Sequence, residues 1–503
     1  MNYHGTSRIV RNDRIRRIRR CSALGSPAPW SRWHWLVVLA LGITWILDGL
    51  EVTLVAALGG ILKGPTGLGL TDSQIGAGAT FYLVGQVVGA LIFGFATDRV
   101  GRKKLFYTTL LIYLIGTGLT AFSMNFFMYA LFRFIAGMGI GGEYSAINSA
   151  IDELIPARVR GQVDLVINST YWAGAMIGAL GTYVVLNPNL VPAAWGWRLS
   201  FVLGGFLGLL ILLFRHWVPE SPRWLITHGR NQEAEEIVAS VEREVTADPS
   251  SLPPLDGKKQ RLRIRQYTPW GEIWQAVAHQ YPTRSILGFT LMVTQAFLYN
   301  AIFFTYTLIL VQFYNVPAET VSVYLFPFAF GNLLGPILLG GLFDSIGRKT
   351  MITLTYAVSG VLLAITGYLF QIGVLTAVTQ TIAWSIIFFI ASAAASSAYL
   401  TVSEIFPLEI RGLAIAVFYA FGTLAGAIAP TIFGAIIGSG SRVAMFWAYC
   451  FAGVVMIIAA IVEAFFGVKA ERQSLESIAT PLSDVMWPHR IVPPDMPKPG
   501  TTG

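Results

Sequence analysis

The chain has 503 residues, 54% of them hydrophobic and only 12% charged, with a mean hydropathy of +0.61. Soluble domains average about 25% charged residues, so a water-soluble protein of this size is excluded, and so are a collagen, a disordered chain and, with 2 Cys (Cys21 and Cys450), a disulfide scaffold. An integral membrane protein of many spans remains, and the net charge of +8 needs no nucleic acid to explain it, because the cations fall mostly in loops on one side.

In chain order, residues 1–33 form a basic tail holding Arg8, Arg11, Arg14, Arg16, Arg17, Arg19, Arg20 and Arg32. The tail reads as a topology anchor. A mitochondrial targeting peptide would also be Arg-rich, but Ser is sparse here and the first apolar run follows directly. That run is long enough to stay in the membrane, so no cleavable secretory signal is evident. Spanning-length apolar runs lie near 35–61, 75–97, 104–123, 125–150, 162–186 and 198–217. After a hydrophilic stretch they resume near 286–313, 321–343, 350–370, 374–402, 412–437 and 443–466. The expected fold is all-α, with twelve transmembrane helices in two six-helix bundles. The expected division is a tail over 1–33, a bundle over 34–217, a central loop over 218–284 with a short helix over 231–245, a bundle over 285–467 and a tail over 468–503.

Of the 35 basic residues, all but Lys63, Arg133, Arg198 and Arg442 fall on the side of the two termini. The positive-inside bias makes that side cytoplasmic and predicts a multi-pass protein of the plasma (inner) membrane.

The halves echo each other. GFATDRVGRKK after the second run matches GGLFDSIGRKT after the eighth, and ELIPARVRG after the fourth matches EIFPLEIRG after the tenth, at nearly equal offsets. Such a repeat fits two pseudo-symmetric bundles with a site between them near the midplane. Gly101 and Gly347 suit tight turns. Asp98 and Asp344, at helix ends, are placed to pair with Arg or to face the N-terminus of a neighbouring helix. Glu153 with Arg160, and Glu404 with Arg411, are expected to pair and to bridge the bundles as a gate; the alternative is that these segments only fix topology.

These strings, with RFIAGMGIGGEY (133–144), PESPRW (219–224) and ERQSLESI (471–478), resemble the major facilitator superfamily. The narrower resemblance is to its sugar-porter and metabolite (aromatic acid)–proton symporter branch. It implies alternating access by rocking of the two bundles. It places the gating residues at Asp98, Arg99, Arg102, Glu153, Arg160, Glu220, Arg223, Asp344, Arg348, Glu404 and Arg411.

An ionisable group at a span centre costs about 2.5–3.5 kcal/mol on insertion scales. The first half nonetheless carries Asp48 and Glu51, on one helix face at i, i+3, with Arg133, Glu143 and Asp164. The second half shows no charge well inside a span, Glu404 lying near a span end. The asymmetry points to a proton site at Asp48, Glu51 and Arg133, since burial favours a protonated carboxyl and a nearby guanidinium the ionised one. A permanent structural ion pair is the alternative. The Asp48–Gly49–Leu50–Glu51 string is similar to that of aromatic-acid–proton symporters. The six His lie in tails, loops or span ends, which disfavours a His proton relay.

Gly137, Gly139, Gly141 and Gly142 lack the preceding strand of a nucleotide loop and suit close helix packing instead. No Walker A string, metal-ligand cluster or hydrolase triad stands out, so neither an enzyme nor a cofactor other than the proton is expected. Polar and aromatic residues in apolar runs mark the path: Asn168, Ser169, Thr170, Tyr171 and Trp172, then Gln295, Asn300 and Tyr306, then Asn332 and Tyr399. Asn168, Tyr171, Trp172, Gln295, Asn300 and Tyr399 are the expected substrate contacts. Asn168, Gln295, Asn300 and Tyr399 match positions of the sugar porters, whereas Ala175, Phe303 and Ala393–Ala395 depart from them. Sugars, polyols and small or aromatic organic acids all remain open. The expected partners are the solute and the lipid bilayer, with the chain working as a monomer. A proton-independent facilitator or exporter is the rival function, and a non-transporting nutrient sensor a further one.

Overall fold

The computed structural model describes residues 30–64, 67–185, 190–214, 218–245, 270–303, 305–316 and 321–482. The basic tail before residue 30 lies outside the described residues. The first six long helices are α1 (Arg32–Lys63), α2 (Asp72–Val100), α3 (Arg102–Thr120), α4 (Phe126–Leu154), α5 (Arg160–Val185) and α6 (Ala193–Phe214). Short α7 (Pro222–Thr227), α8 (Asn231–Val245) and α9 (Trp270–Gln275) follow. The second set is α10 (Pro282–Phe303) with its continuation α11 (Tyr306–Tyr314), then α12 (Leu325–Ser345), α13 (Arg348–Gln371), α14 (Ala377–Ile405), α15 (Arg411–Gly438) and α16 (Arg442–Phe466), before a terminal turn α17 (Leu475–Ile478). No strand occurs among the described residues. Eight of these helices, α1, α2, α10 and α12 to α16, are long and apolar enough to cross a membrane on composition alone.

Helix α8 matches its expected range. The run 286–313 is not one helix: it breaks after Phe303, where the Thr305 hydroxyl bonds back to the Ala301 carbonyl. Back-bonding of this kind competes with the helix ladder and bends it.

Packing repeats between the halves. Helix α1 packs on α5, α2 on α4, and α3 on α4 and α6; correspondingly α10 packs on α15, α12 on α14, and α13 on α14 and α16. The halves meet where α2 packs on α15 and α5 on α12. These two contacts exchange under the same repeat that relates the sequence motifs, giving two pseudo-symmetric bundles.

Glycine makes the closest approaches possible. A Cβ on Gly137 or Gly141 would overlap the carbonyls of Tyr82 or Gln86 in α2, and one on Gly139 or Gly142 would meet Tyr113 or Thr109 in α3. The glycines of α4 thus serve two neighbouring helices. On the outside, α16 shows the expected two-faced pattern. Trp447, Phe451, Val454, Ile458, Ile461 and Phe465 are exposed, while Met445, Tyr449, Ala452, Met456 and Ala459 are buried. An exposed apolar stripe at helical spacing suits lipid rather than water.

Candidate functional site

A cavity of about 340 Å³ lies between the halves. Its walls come from α1 (Trp45, Asp48), α2 (Tyr82, Gln86), α4 (Arg133, Tyr144), α5 (Asn168, Tyr171, Trp172), α10 (Gln295, Tyr299, Asn300, Phe303), α14 (Ser392, Ser396, Tyr399) and α15 (Tyr419, Thr423). It reaches Ile75, Gly76 and Ala79 in the first turns of α2, at the end of the bundle opposite the basic loops. Towards those loops it is floored by aromatic rings. Tyr144 stacks on Tyr419 at 4.2 Å and meets Trp45 edge-on at 4.6 Å, and Tyr399 lies 5.5 Å from Trp45.

The structure brings all six expected substrate residues to this cavity. Asn168 is oriented by its own helix: its Nδ2 donates to the Asp164 carbonyl at 2.8 Å and carboxylate at 3.0 Å, leaving its Oδ1 without a hydrogen-bond partner among the described residues. Gln295 Nε2 donates to the Tyr399 hydroxyl at 3.5 Å, and Asn300 Nδ2 to the Ala296 carbonyl at 2.7 Å. Other polar residues of the expected path hold helices instead. Asn332 is buried and accepts from Tyr299 at 2.8 Å, Tyr306 donates to the Tyr324 carbonyl at 2.8 Å, and Thr170 donates to the Gly42 carbonyl at 2.7 Å. Tyr82, Gln86, Tyr144, Tyr299 and Tyr419 line the cavity without having been singled out. Their one sequence signal is a polar or aromatic residue in an apolar run, which many packing residues share.

Asp48 and Glu51 share one helix face, as their spacing requires, yet have different surroundings. Asp48 faces the cavity and accepts hydrogen bonds from the Tyr82 hydroxyl at 3.0 Å and the Tyr144 hydroxyl. Glu51 lies behind it, 2% exposed, ion-paired with Arg133, which is 1% exposed. Glu51 also accepts from Tyr113 and from Thr117 at 3.0 Å. Arg133 lies 4.1 Å over the Tyr82 ring and lines the cavity itself. A buried carboxylate is tolerated only with such compensation. Removing the guanidinium from it, or adding a proton to it, changes the energy of the whole cluster.

Below the floor lies a buried charge network with crossed partners. Glu153 does not pair with Arg160, nor Glu404 with Arg411. Arg160 instead reaches across the interface to Glu404 at 3.2 Å, while Arg411 reaches back to Asp152 at 3.8 Å and Glu153 at 4.0 Å. The reason is geometric. Glu153 ends α4 and Arg160 begins α5, so the seven-residue spacing turns a corner and aims the two side chains at different neighbours. Arg348 pairs with Glu404 and with Asp344 at 3.2 Å, and Arg102 pairs with Glu153. Asp344 also accepts the amides of Gly161 at 3.1 Å and Gln162 at 2.8 Å, thereby capping α5 from the other half. The side chain of Asp98, its counterpart, lies outside the described residues. Arg99 lies on the bundle surface, 3.9 Å over the Phe95 ring.

Glu220 caps α3, accepting the amides of Arg102 at 2.9 Å and Lys103 at 3.3 Å, and Glu471 meets the Arg348 amide of α13 at 3.5 Å. The turns beneath require glycine, Gly101 at φ +99 and Gly347 at φ +115. Arg223 is buried and faces Glu153, which also accepts from Ser221. The second half is not free of buried charge. Glu404 is fully buried, and Glu463, in the last turn of α16, is 1% exposed with an Oε2 that has no hydrogen-bond partner among the described residues. Its position near a run end hid it in the sequence.

The sequence model of the family described as Sugar (and other) transporter matches residues 48–482. A niacin transporter of Acinetobacter baylyi is 29% identical over 80% of this chain and 87% of its own length. A 4-hydroxybenzoate transporter of the same organism is 33% identical over 42% of this chain and 44% of its own. A solved structure of a proton:xylose symporter bound to 6-bromo-6-deoxy-D-glucose superposes with a TM-score of 0.72 at 18% identity, covering 88% of this chain and 98% of that one. The chain belongs to the Sugar (and other) transporter family. It is a multi-pass membrane solute transporter, not an enzyme, and its fold is that of the major facilitator structure it superposes on.

Proposed function

We propose that this transporter moves a small planar organic acid by proton symport with alternating access, from the plasma membrane with both termini cytoplasmic. The observation that carries the reading is the buried Glu51–Arg133 pair behind Asp48 on the cavity wall. A proton on Glu51 frees Arg133 from its counter-ion. The guanidinium is then available to a carboxylate in the cavity, so proton and anion bind together and leave together. Nine aromatic side chains among the lining residues favour a planar ring over a polyol, by stacking and edge contacts. The niacin and 4-hydroxybenzoate transporters among the relatives handle molecules of this class.

The cavity reaches the end opposite the basic loops while the charge network shuts the other, an arrangement that fits an outward-facing state. The test is uptake into liposomes holding the purified protein, with an inward-acid gradient and labelled nicotinate, 4-hydroxybenzoate, xylose and myo-inositol. Gradient-driven accumulation of an aromatic acid that Glu51→Gln abolishes, with exchange retained, is the expected result. Equal uptake without the gradient, unchanged by Glu51→Gln, refutes coupling and makes the chain a facilitator whose ion pair is structural. Selective accumulation of xylose or inositol refutes the choice of acid over sugar.

A further inference from the structure

We propose that Asp164 is a second proton-binding carboxyl, one that latches the cytoplasmic gate: protonated it lets the charge network close, and ionised it drives the network apart. The inference rests on the alternating-access reading above but not on the identity of the solute. Asp164 lies in α5, one turn towards the basic loops from Asn168, between the cavity and the network. It is 0% exposed. Its Oδ2 accepts from Asn168 at 3.0 Å, and its Oδ1 has no hydrogen-bond partner among the described residues.

The charges around it do not neutralise it. Asp152 of α4 and Glu404 of α14 face it with like charge, and Arg348 of α13 opposes them. Arg348 is already shared by Glu404 and by Asp344 of α12. On its own helix Arg160 is taken by Glu404, and on α15 Arg411 faces Asp152 and Glu153. On α1, Asp48 and Glu51 are bound to Tyr82, Tyr144 and Arg133, and His34 to Ser31. Arg198 of α6 is held at the far end by the Ala121 and Ser123 carbonyls. An ionised Asp164 in the closed network is therefore a buried charge with no counter-ion of its own among the described residues, and such a group takes up a proton or moves the structure around it. Opening the network admits water. The O–H bond of the carboxyl then breaks, the proton leaves to cytoplasmic water, and the carboxylate repels Asp152 and Glu404 until it takes up a proton again from that water and the gate recloses. Asn168 ties this switch to the solute, since the amide of this cavity-lining residue is oriented by the same carboxylate.

The test reads gate opening without a solute. On a Cys21→Ser, Cys450→Ser background, Ser396→Cys places a thiol on the cavity wall. A membrane-impermeant maleimide is applied to the cytoplasmic face of inside-out vesicles and to the opposite face of right-side-out vesicles. Cytoplasmic labelling of the parent, taken relative to labelling of the same thiol in denatured protein at the same pH so that thiolate formation cancels, is expected to rise with pH, by up to about tenfold per pH unit across a single-proton titration. With Asp164→Asn it should stay slow at every pH, and Asp164→Glu should restore the slope with a displaced midpoint. An Asp164→Asn protein that keeps the parent's pH profile overturns the latch and leaves alternating access standing. A parent labelled from one face only, at every pH, overturns both. Where Asp164→Asn does not reach the membrane, Asp164→Glu decides, and an undisplaced midpoint overturns the latch.

Discussion

Arg160 of the first half and Glu404 of the second lie 3.2 Å apart, both fully buried, so the floor of the closed gate is itself an interface between the bundles. Arg411 makes the reciprocal contact with Asp152 and Glu153. Rocking the bundles apart must break both, whereas a Glu153–Arg160 pair would have travelled with one bundle and gated nothing.

Glu404→Gln leaves Arg160 without its partner and Arg348 with Asp344 alone. Breaking a buried pair by removing one member costs about 3–5 kcal/mol, here charged to the closed network only. The expected result is a population shifted strongly towards an inward-open state, read as faster cytoplasmic labelling of Ser396→Cys. The charge swap Arg160→Glu with Glu404→Arg should recover part of the closure.

Glu51→Gln should abolish accumulation driven by a proton gradient while sparing counterflow, because the neutral amide keeps the volume but does not titrate. Parent uptake should rise as the outer medium is acidified, since the proton is a co-substrate on that side. Thr117→Ala removes one hydrogen-bond donor to the Glu51 carboxylate, worth about 1.5–3 kcal/mol, and should shift the pH dependence of uptake without abolishing coupling. Transport assays across an external pH series separate the variants.

Gly141→Val should prevent stable folding, since a Cβ there collides with the Gln86 carbonyl of α2. Gly434→Ala in α15 has open space around its Cβ, and helix propensity favours Ala by about 0.8–1.0 kcal/mol. Thermal unfolding in detergent should show loss in the first and a small gain in the second.

Glu220→Ala and Glu471→Ala each remove a carboxylate from a helix N-terminus, α3 in one half and α13 in the other. Each should lower stability by about 0.5–2 kcal/mol, with the Glu220 variant the larger because it loses two amide contacts rather than one. The sites lie in separate bundles, so the double variant should be additive within about 0.5 kcal/mol in a thermal-shift series.

The all-helical membrane class, the repeat and six of the polar and aromatic residues around the cavity were legible in the amino-acid sequence alone, whereas Tyr82, Gln86, Tyr144, Tyr299 and Tyr419 were not. A lipid-facing helix needs an apolar run long enough to cross, and every group that breaks the run must be compensated, so Asp48, Glu51, Arg133 and Asn168 stand out wherever the chain folds. Pairing was not legible in the same way. Asp48 and Glu51 share a helix face, yet only the packing of α1 against α3 and α4 sends Glu51 to Tyr113, Thr117 and Arg133 while Asp48 meets the cavity. Arg160 and Glu404 stand far apart in the chain, and Glu463 looks like a span-end residue until its neighbours bury it. Sequence spacing determines which side chains share a helix, because helical periodicity is local. Which charge meets which was decided by the tertiary structure, because an ion pair depends on where two separate helices cross.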